Sequence, residues 1–209
     1  MPHSPFEVIL IFPCAETWMI RSRFFWVHTI VLTCCFLIAG NPDCHGQARL
    51  TSLAGEPLAV SDLMTTELTV VIFMSPECPL CENYSASLKQ LRSVFSENEV
   101  SFVGVFSGSW YTSEEIIRFM ARYQPPVTAV MDVDYILKHR FAASVTPEAV
   151  LIKAPGEIMY QGKIDNWIVS LGKKRTVVTE YYLRDAIKAC LLGTRPEVSQ
   201  TEPVGCFIE

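Results

Sequence analysis

Cys78-Pro79-Leu80-Cys81 is the stretch of this sequence whose residue types and spacing could do chemistry. Two thiols separated by two residues can close a disulfide when a helical turn brings their sulfurs together. A thiol at the start of a helix meets unsatisfied N–H groups and the positive end of the helix dipole, and both favour the thiolate. The thiolate is the attacking species in disulfide exchange. Cys78, nearer the helix start, is therefore the expected nucleophile, and Cys81, one turn in, the expected resolving thiol. Pro79 at the first helical position costs little, because its missing N–H would be unpaired there anyway. The same spacing also fits half of a zinc site or a plain structural disulfide, so the surrounding elements have to decide.

Those elements point to redox chemistry. Residues 68–74 (LTVVIFM) form a continuous apolar, β-branched run, which reads as a strand covered on both faces. A helix is expected from about 78 to 95, with Leu88, Leu91, Val94 and Phe95 on its apolar face. The CPLC motif thus lies where a buried strand passes into a helix. A second buried strand follows over 100–106. Thr112 or Ser113 can then cap a helix with Glu114 and Glu115 in its first turn, ending before Pro125-Pro126. Next come a short strand over 127–131, a short helix over 134–141, strands over 149–153 and 158–162 around an Ala-Pro-Gly-Glu turn, and an amphipathic helix over 178–192. Residues 58–63 read as a short extended segment ahead of all these. The order β-α-β-α-β-α-β-β-α predicts a three-layer α/β domain, with a central mixed sheet and helices on both faces.

The N-terminus reads as a targeting segment. Arg21 and Arg23 precede an apolar run over 24–39, and small residues follow as far as Ala48. This is the pattern of a secretory signal peptide; an uncleaved membrane anchor is the alternative. Met19 begins a cleaner signal than Met1 does. The expected layout is a signal or anchor over 1–48, a domain over 49–192 and a tail over 193–209. Cleavage after Ala48 would remove Cys14, Cys34, Cys35 and Cys44 and leave Cys78, Cys81, Cys190 and Cys206, an even number in a compartment that permits disulfides. The net charge of −5 argues against nucleic acid as a partner.

With CPLC at a strand-to-helix junction, residues 50–170 resemble the thioredoxin-like superfamily, in its extracytoplasmic redoxin or TlpA-like (AhpC/TSA-related) branch. The strings that carry the resemblance are VVIFMSPECPLCENY, SFVGVFSG, TSEEIIRFMARY, AVMDVDYILKHRFAASVTPEAVLI and GEIMYQGKIDN. The ending, YYLRDAIKACLLG followed by TEPVGCFIE, resembles secreted redoxin-domain proteins that finish in a Gly-Cys motif. The resemblance implies a thioredoxin-like fold with a cis-proline at Pro147. Its neighbouring backbone at Thr146 would face the CPLC pair and pair with an incoming peptide as an added strand. Thr146, Pro79 and Leu80 are then the expected substrate-binding residues. There are departures from the family pattern. Glu77 replaces the thioredoxin Trp, Pro79-Leu80 replace Gly-Pro, and Ile72 stands where thioredoxin keeps a buried acid, leaving Glu77, Glu82 or water to take a proton from Cys81. Ser75 suits a peroxiredoxin, but Val71 stands where that family has a proline.

The function implied is an extracytoplasmic thiol–disulfide oxidoreductase. It would exchange disulfides with a protein partner and be served by a membrane or periplasmic electron donor, with neither cofactor nor metal. Two alternatives are a peroxiredoxin-like thiol peroxidase and a non-enzymatic metal-binding or electron-carrier module using Cys78, Cys81 and either Cys206 or His139. Cys190, on an apolar helix face, reads as a packed cysteine. Cys206 reads either as its disulfide partner or as an auxiliary redox thiol that relays to the CPLC pair.

Overall fold

The structure, a computed structural model, describes residues 50–209. The expected signal or anchor over 1–48, the start at Met19, the cleavage after Ala48, and Cys14, Cys34, Cys35 and Cys44 lie outside the described residues.

The run LTVVIF forms β3 (Leu68–Phe73), with all six residues buried. Alternate side chains of a strand point to opposite faces. Leu68, Val70 and Ile72 enter one apolar core, and Val71 and Phe73 enter the other. Strand β3 therefore needs cover on both sides. On the first face lie α1 (Pro79–Arg92), α2 (Ser113–Tyr123) and α4 (Tyr182–Leu191), through Leu88, Ile116, Phe119 and Ile187 among others. On the second lies α3 (Ile136–Phe141), through Leu137 and Phe141. Each such buried side chain stabilises the fold by roughly 1.5–3 kcal/mol relative to exposure.

The main sheet has the order β2-β1-β5-β4-β3-β7-β8. Its centre is parallel: β3 pairs with β4 (Val100–Ser107), and β4 with β5 (Thr128–Asp132). The hairpin of β7 (Glu148–Lys153) and β8 (Glu157–Gly162) adds antiparallel to β3. On the far edge β1 (Leu50–Ser52) runs antiparallel to β5, and β2 (Pro57–Leu58) to β1. This is the three-layer mixed-sheet architecture that the sequence predicts. Thr112 caps α2 as expected, accepting from the Glu115 N–H while the Glu115 carboxylate accepts from the Thr112 N–H.

Several elements differ from the sequence reading. Residues 60–63 form a 3-10 turn rather than an extended segment, because the Asp62 carboxylate accepts the Ala59 N–H at 2.8 Å and curls the chain. The last helix begins at Tyr182, not near 178. Asn166 holds the preceding segment away from helix: its amide donates to the Thr179 hydroxyl at 2.7 Å, and its own N–H donates to the Glu180 carbonyl at 3.1 Å. A small pair, β9 (Ile168–Ser170) and β10 (Lys173–Lys174), was not legible in the sequence. Nor was β11 (Cys206–Phe207), which pairs antiparallel with β6 (Val145–Thr146). Among the described residues, no helix is long and apolar enough to cross a membrane.

Candidate active site

Strand β3 delivers the chain to the site through Met74, whose N–H continues the ladder to the Val105 carbonyl at 2.8 Å. Ser75 then turns it: its hydroxyl accepts the Glu77 N–H at 3.2 Å and lies 2.8 Å from the Tyr111 hydroxyl. Cys78 is the N-cap of α1 and Pro79 its first residue, so the Cys78 sulfur sits at the positive end of a 14-residue helix. Helix α1 is anchored further along by Tyr84, which donates to the buried Asp165 carboxylate at 2.7 Å and packs edge-on against Trp167. Cys81 follows one turn in and is completely buried.

Opposite the helix start lies Thr146-Pro147, joined by a cis peptide bond. With its proton on, Cys78 donates to the Thr146 carbonyl, 3.2 Å away. The two segments that the sequence resemblance brought together are thus in contact. Pro79 is exposed and Leu80 half-buried, beside the sulfurs.

The sulfurs are electrostatically unequal. The Cys81 thiol, donating to Cys78, is the largest influence on Cys78 and lowers it; burial opposes, and donors on Cys206 and Thr146 and the Cys81 backbone lower it further. The outcome is about 5, against an ordinary value of 9.0. Cys81 moves the other way. Burial pushes it well above the ordinary value, and the neighbouring Cys78 thiolate adds to the rise. At neutral pH the pair is thus one thiolate and one thiol that donates to it. No carboxylate is among the main influences on Cys81, and Glu77 is exposed.

Cys206 completes the site. Its sulfur lies 2.6 Å from that of Cys78, and β11 carries it there from a tail that local sequence reasoning could not place. Cys190 is elsewhere. It is buried on the core face of α4 and feels the charges of Lys153, Glu157 and Glu67, which lie toward the start of β3, at the opposite end of the strand from Cys78. The structure therefore brings Cys206 to Cys78 and not to Cys190, and all four described cysteines are free thiols. His139 is exposed on α3, and among the described residues no group of three or more His, Cys, Asp or Glu side chains is arranged to hold a metal ion. A cavity of about 330 Å³ opens beside Cys78; Ser75, Trp110 and Tyr111 line one side, and Cys206 and Phe207 the other.

Comparison with known proteins gives no matching family model and no matching curated protein. Solved structures do match. A hypothetical protein of Sinorhizobium meliloti is 21% identical, with a TM-score of 0.66 over 77% of this chain and 88% of its own. An uncharacterized conserved protein of Geobacillus kaustophilus is 22% identical, also at 0.66, over 77% and 87%. The helix-capping CPLC segment set against a cis-proline on this sheet order decides the fold. The fold is thioredoxin-like. A more partial match, with a TM-score of 0.45 over 53% of this chain and 78% of its own, is a secreted disulfide oxidoreductase of Mycobacterium tuberculosis homologous to E. coli DsbE, 25% identical. The sheet of this thioredoxin-like fold ends on one side in β1 and β2, and a tail strand, β11, pairs with β6.

Proposed function

We propose that this protein is an extracytoplasmic thiol–disulfide oxidoreductase in which Cys78 is the nucleophile and Cys81 the resolving thiol. One observation carries the reading. Cys78 is the N-cap residue of a helix, and its sulfur faces the Thr146 backbone beside the buried Cys81, in surroundings that favour a thiolate on Cys78 and a thiol on Cys81.

The chemistry follows from that inequality. The Cys78 thiolate attacks one sulfur of a substrate disulfide. A mixed disulfide forms, and the substrate's other sulfur leaves as a thiolate and takes up a proton. Once Cys78 is bonded, its negative charge is gone. Of the causes that raise Cys81, burial stays, while the hydrogen bond to the Cys78 thiolate and its charge disappear. Cys81 then ionises more readily, attacks Cys78 and releases the reduced substrate. Thr146 and Pro147 would hold the substrate backbone, with Pro79 and Leu80 touching its flanks. The partner is a protein dithiol or disulfide, and a periplasmic or membrane donor would restore the pair.

Reduction of insulin disulfides by the purified protein tests this. The wild type turns over with a thiol donor, and Cys78→Ser loses the activity entirely. Retention of disulfide exchange in Cys78→Ser, or consumption of peroxide without any reduction of insulin, overturns the assignment.

A further inference from the structure

Strand β11 occupies the edge of β6, where, on the oxidoreductase reading, a peptide substrate would pair. It pairs antiparallel with β6, Cys206 opposite Thr146 and Phe207 opposite Val145. The Ile208 N–H extends the pairing to the Ser144 carbonyl at 3.0 Å, and Lys138 Nζ donates to the Ile208 carbonyl at 3.0 Å. Upstream the tail is held to β8: Gln161 and Thr201 bridge the backbones at 3.0 Å, and the Thr201 hydroxyl meets that of Tyr160 at 2.7 Å. The approach is close enough to dictate residue type. A Cβ on Gly205 would collide with the Thr146 carbonyl, so only glycine lets the strand settle on the backbone that faces Cys78. Phe207, by contrast, is 80% exposed, so burial of the aromatic ring is not what holds the strand there.

We propose that residues 205–208 are a built-in substrate strand and that Cys206 is a third redox cysteine, exchanging disulfides with Cys78. The proposal rests on the oxidoreductase reading above and adds an internal partner to it. After Cys78 and Cys81 have been oxidised by a substrate disulfide, Cys206 gives up its proton and its sulfur attacks the Cys78 sulfur. The Cys78–Cys81 bond breaks, a Cys78–Cys206 bond forms, and Cys81 leaves as a thiolate that takes up the proton. No electrons are gained or lost overall, and the reverse step restores the first disulfide. Burial raises the Cys206 thiol most, and the hydrogen bond to the Cys78 thiolate and its charge raise it further, to about 12. Those last two influences vanish when Cys78 is in a disulfide, which is the state in which Cys206 has to attack. In the exchanged state the tail is bonded across the groove and external peptides are shut out. In the reduced state only non-covalent contacts hold it, and a competing strand can displace it. The same geometry says which strands compete: an extended segment with glycine just before its cysteine.

Peptide mapping after reaction with oxidised glutathione tests the proposal. In Cys81→Ser, Cys78 acquires glutathione, and Cys206 then displaces it to give an intramolecular Cys78–Cys206 disulfide. In Cys81→Ser with Cys206→Ser the adduct on Cys78 persists. At sub-millimolar glutathione the level of adduct should differ by at least about tenfold, since a tethered thiol acts at an effective concentration of millimolar or more. Equal adduct in the two variants, or Cys206 found only in bonds between chains, overturns the role of Cys206 and leaves the reactivity of Cys78 standing. Failure of Cys78 to react in either variant overturns the oxidoreductase reading as well.

Discussion

Titration of the Cys78 thiolate separates this site from an ordinary surface thiol more sharply than any rate at neutral pH. With a value of about 5 in place of 9.0, Cys78 is about 99% thiolate at pH 7, where an ordinary thiol is about 1%. That is a gain of about a hundredfold in attacking species. Nucleophilicity falls as the thiolate becomes less basic, with a slope of about 0.4–0.5, so a drop of four units forfeits about 40- to 100-fold. The two effects nearly cancel at pH 7, and Cys78 should attack a small disulfide there about as fast as a free thiol does. At pH 6 the free thiol has lost another factor of about ten while Cys78 has lost almost nothing, leaving Cys78 roughly tenfold ahead. The advantage lies in the pH profile. The assay is the ultraviolet absorbance of the thiolate in reduced protein, with that of Cys78→Ser subtracted. The difference should appear through pH 5 and be complete by neutrality. A signal that develops only above about pH 8, in the ordinary thiol range, refutes the electrostatic reasoning. In Cys206→Ala the inflection should move upward, because one donor to the thiolate is lost.

The same titration should appear in stability. Between about 5 and 9 the unfolded chain binds a proton at Cys78 that the folded chain does not, so the reduced protein gains stability as pH rises, by up to about 1.4 kcal/mol per unit. Above 9 the slope reverses, because the folded state keeps Cys81 and Cys206 protonated while the unfolded chain releases both protons. Urea unfolding of reduced wild type against Cys78→Ser checks this, and parallel pH profiles would contradict it. Gly205→Ala should free the tail: amide hydrogen exchange at 206–208 rises while the amides of β3 and β4 stay protected. Unchanged protection at 206–208 would mean that the Thr146 carbonyl can yield to a side chain.

Much of the architecture is written locally. The run LTVVIF encodes a strand that must be covered twice, and it ends where Pro76 and the CPLC turn begin; that fixes a cysteine at a helix start before any tertiary contact is known. The capping residues Thr112 and Glu115 are as readable, because their partners are three positions apart. Errors arose where a distant side chain intervened. Asn166 ties down Thr179 and Glu180 and delays the last helix, against a local pattern that runs helical from 178.

The site divides in the same way. Sequence alone determined that Cys78 and Cys81 share a first helical turn, because a helix sets the spacing of near neighbours whatever surrounds it. Only tertiary structure decided which cysteine faces them. TEPVGCFIE has no periodicity to assign it a place, and the contacts that hold it to Thr146, Ser144 and Gln161 come from residues far away in the chain. The unequal protonation of the sulfurs is likewise a tertiary result. It depends on burial and on donors from three separated segments, and charge in a low-dielectric interior responds to what lies within a few ångströms rather than to what lies next in sequence.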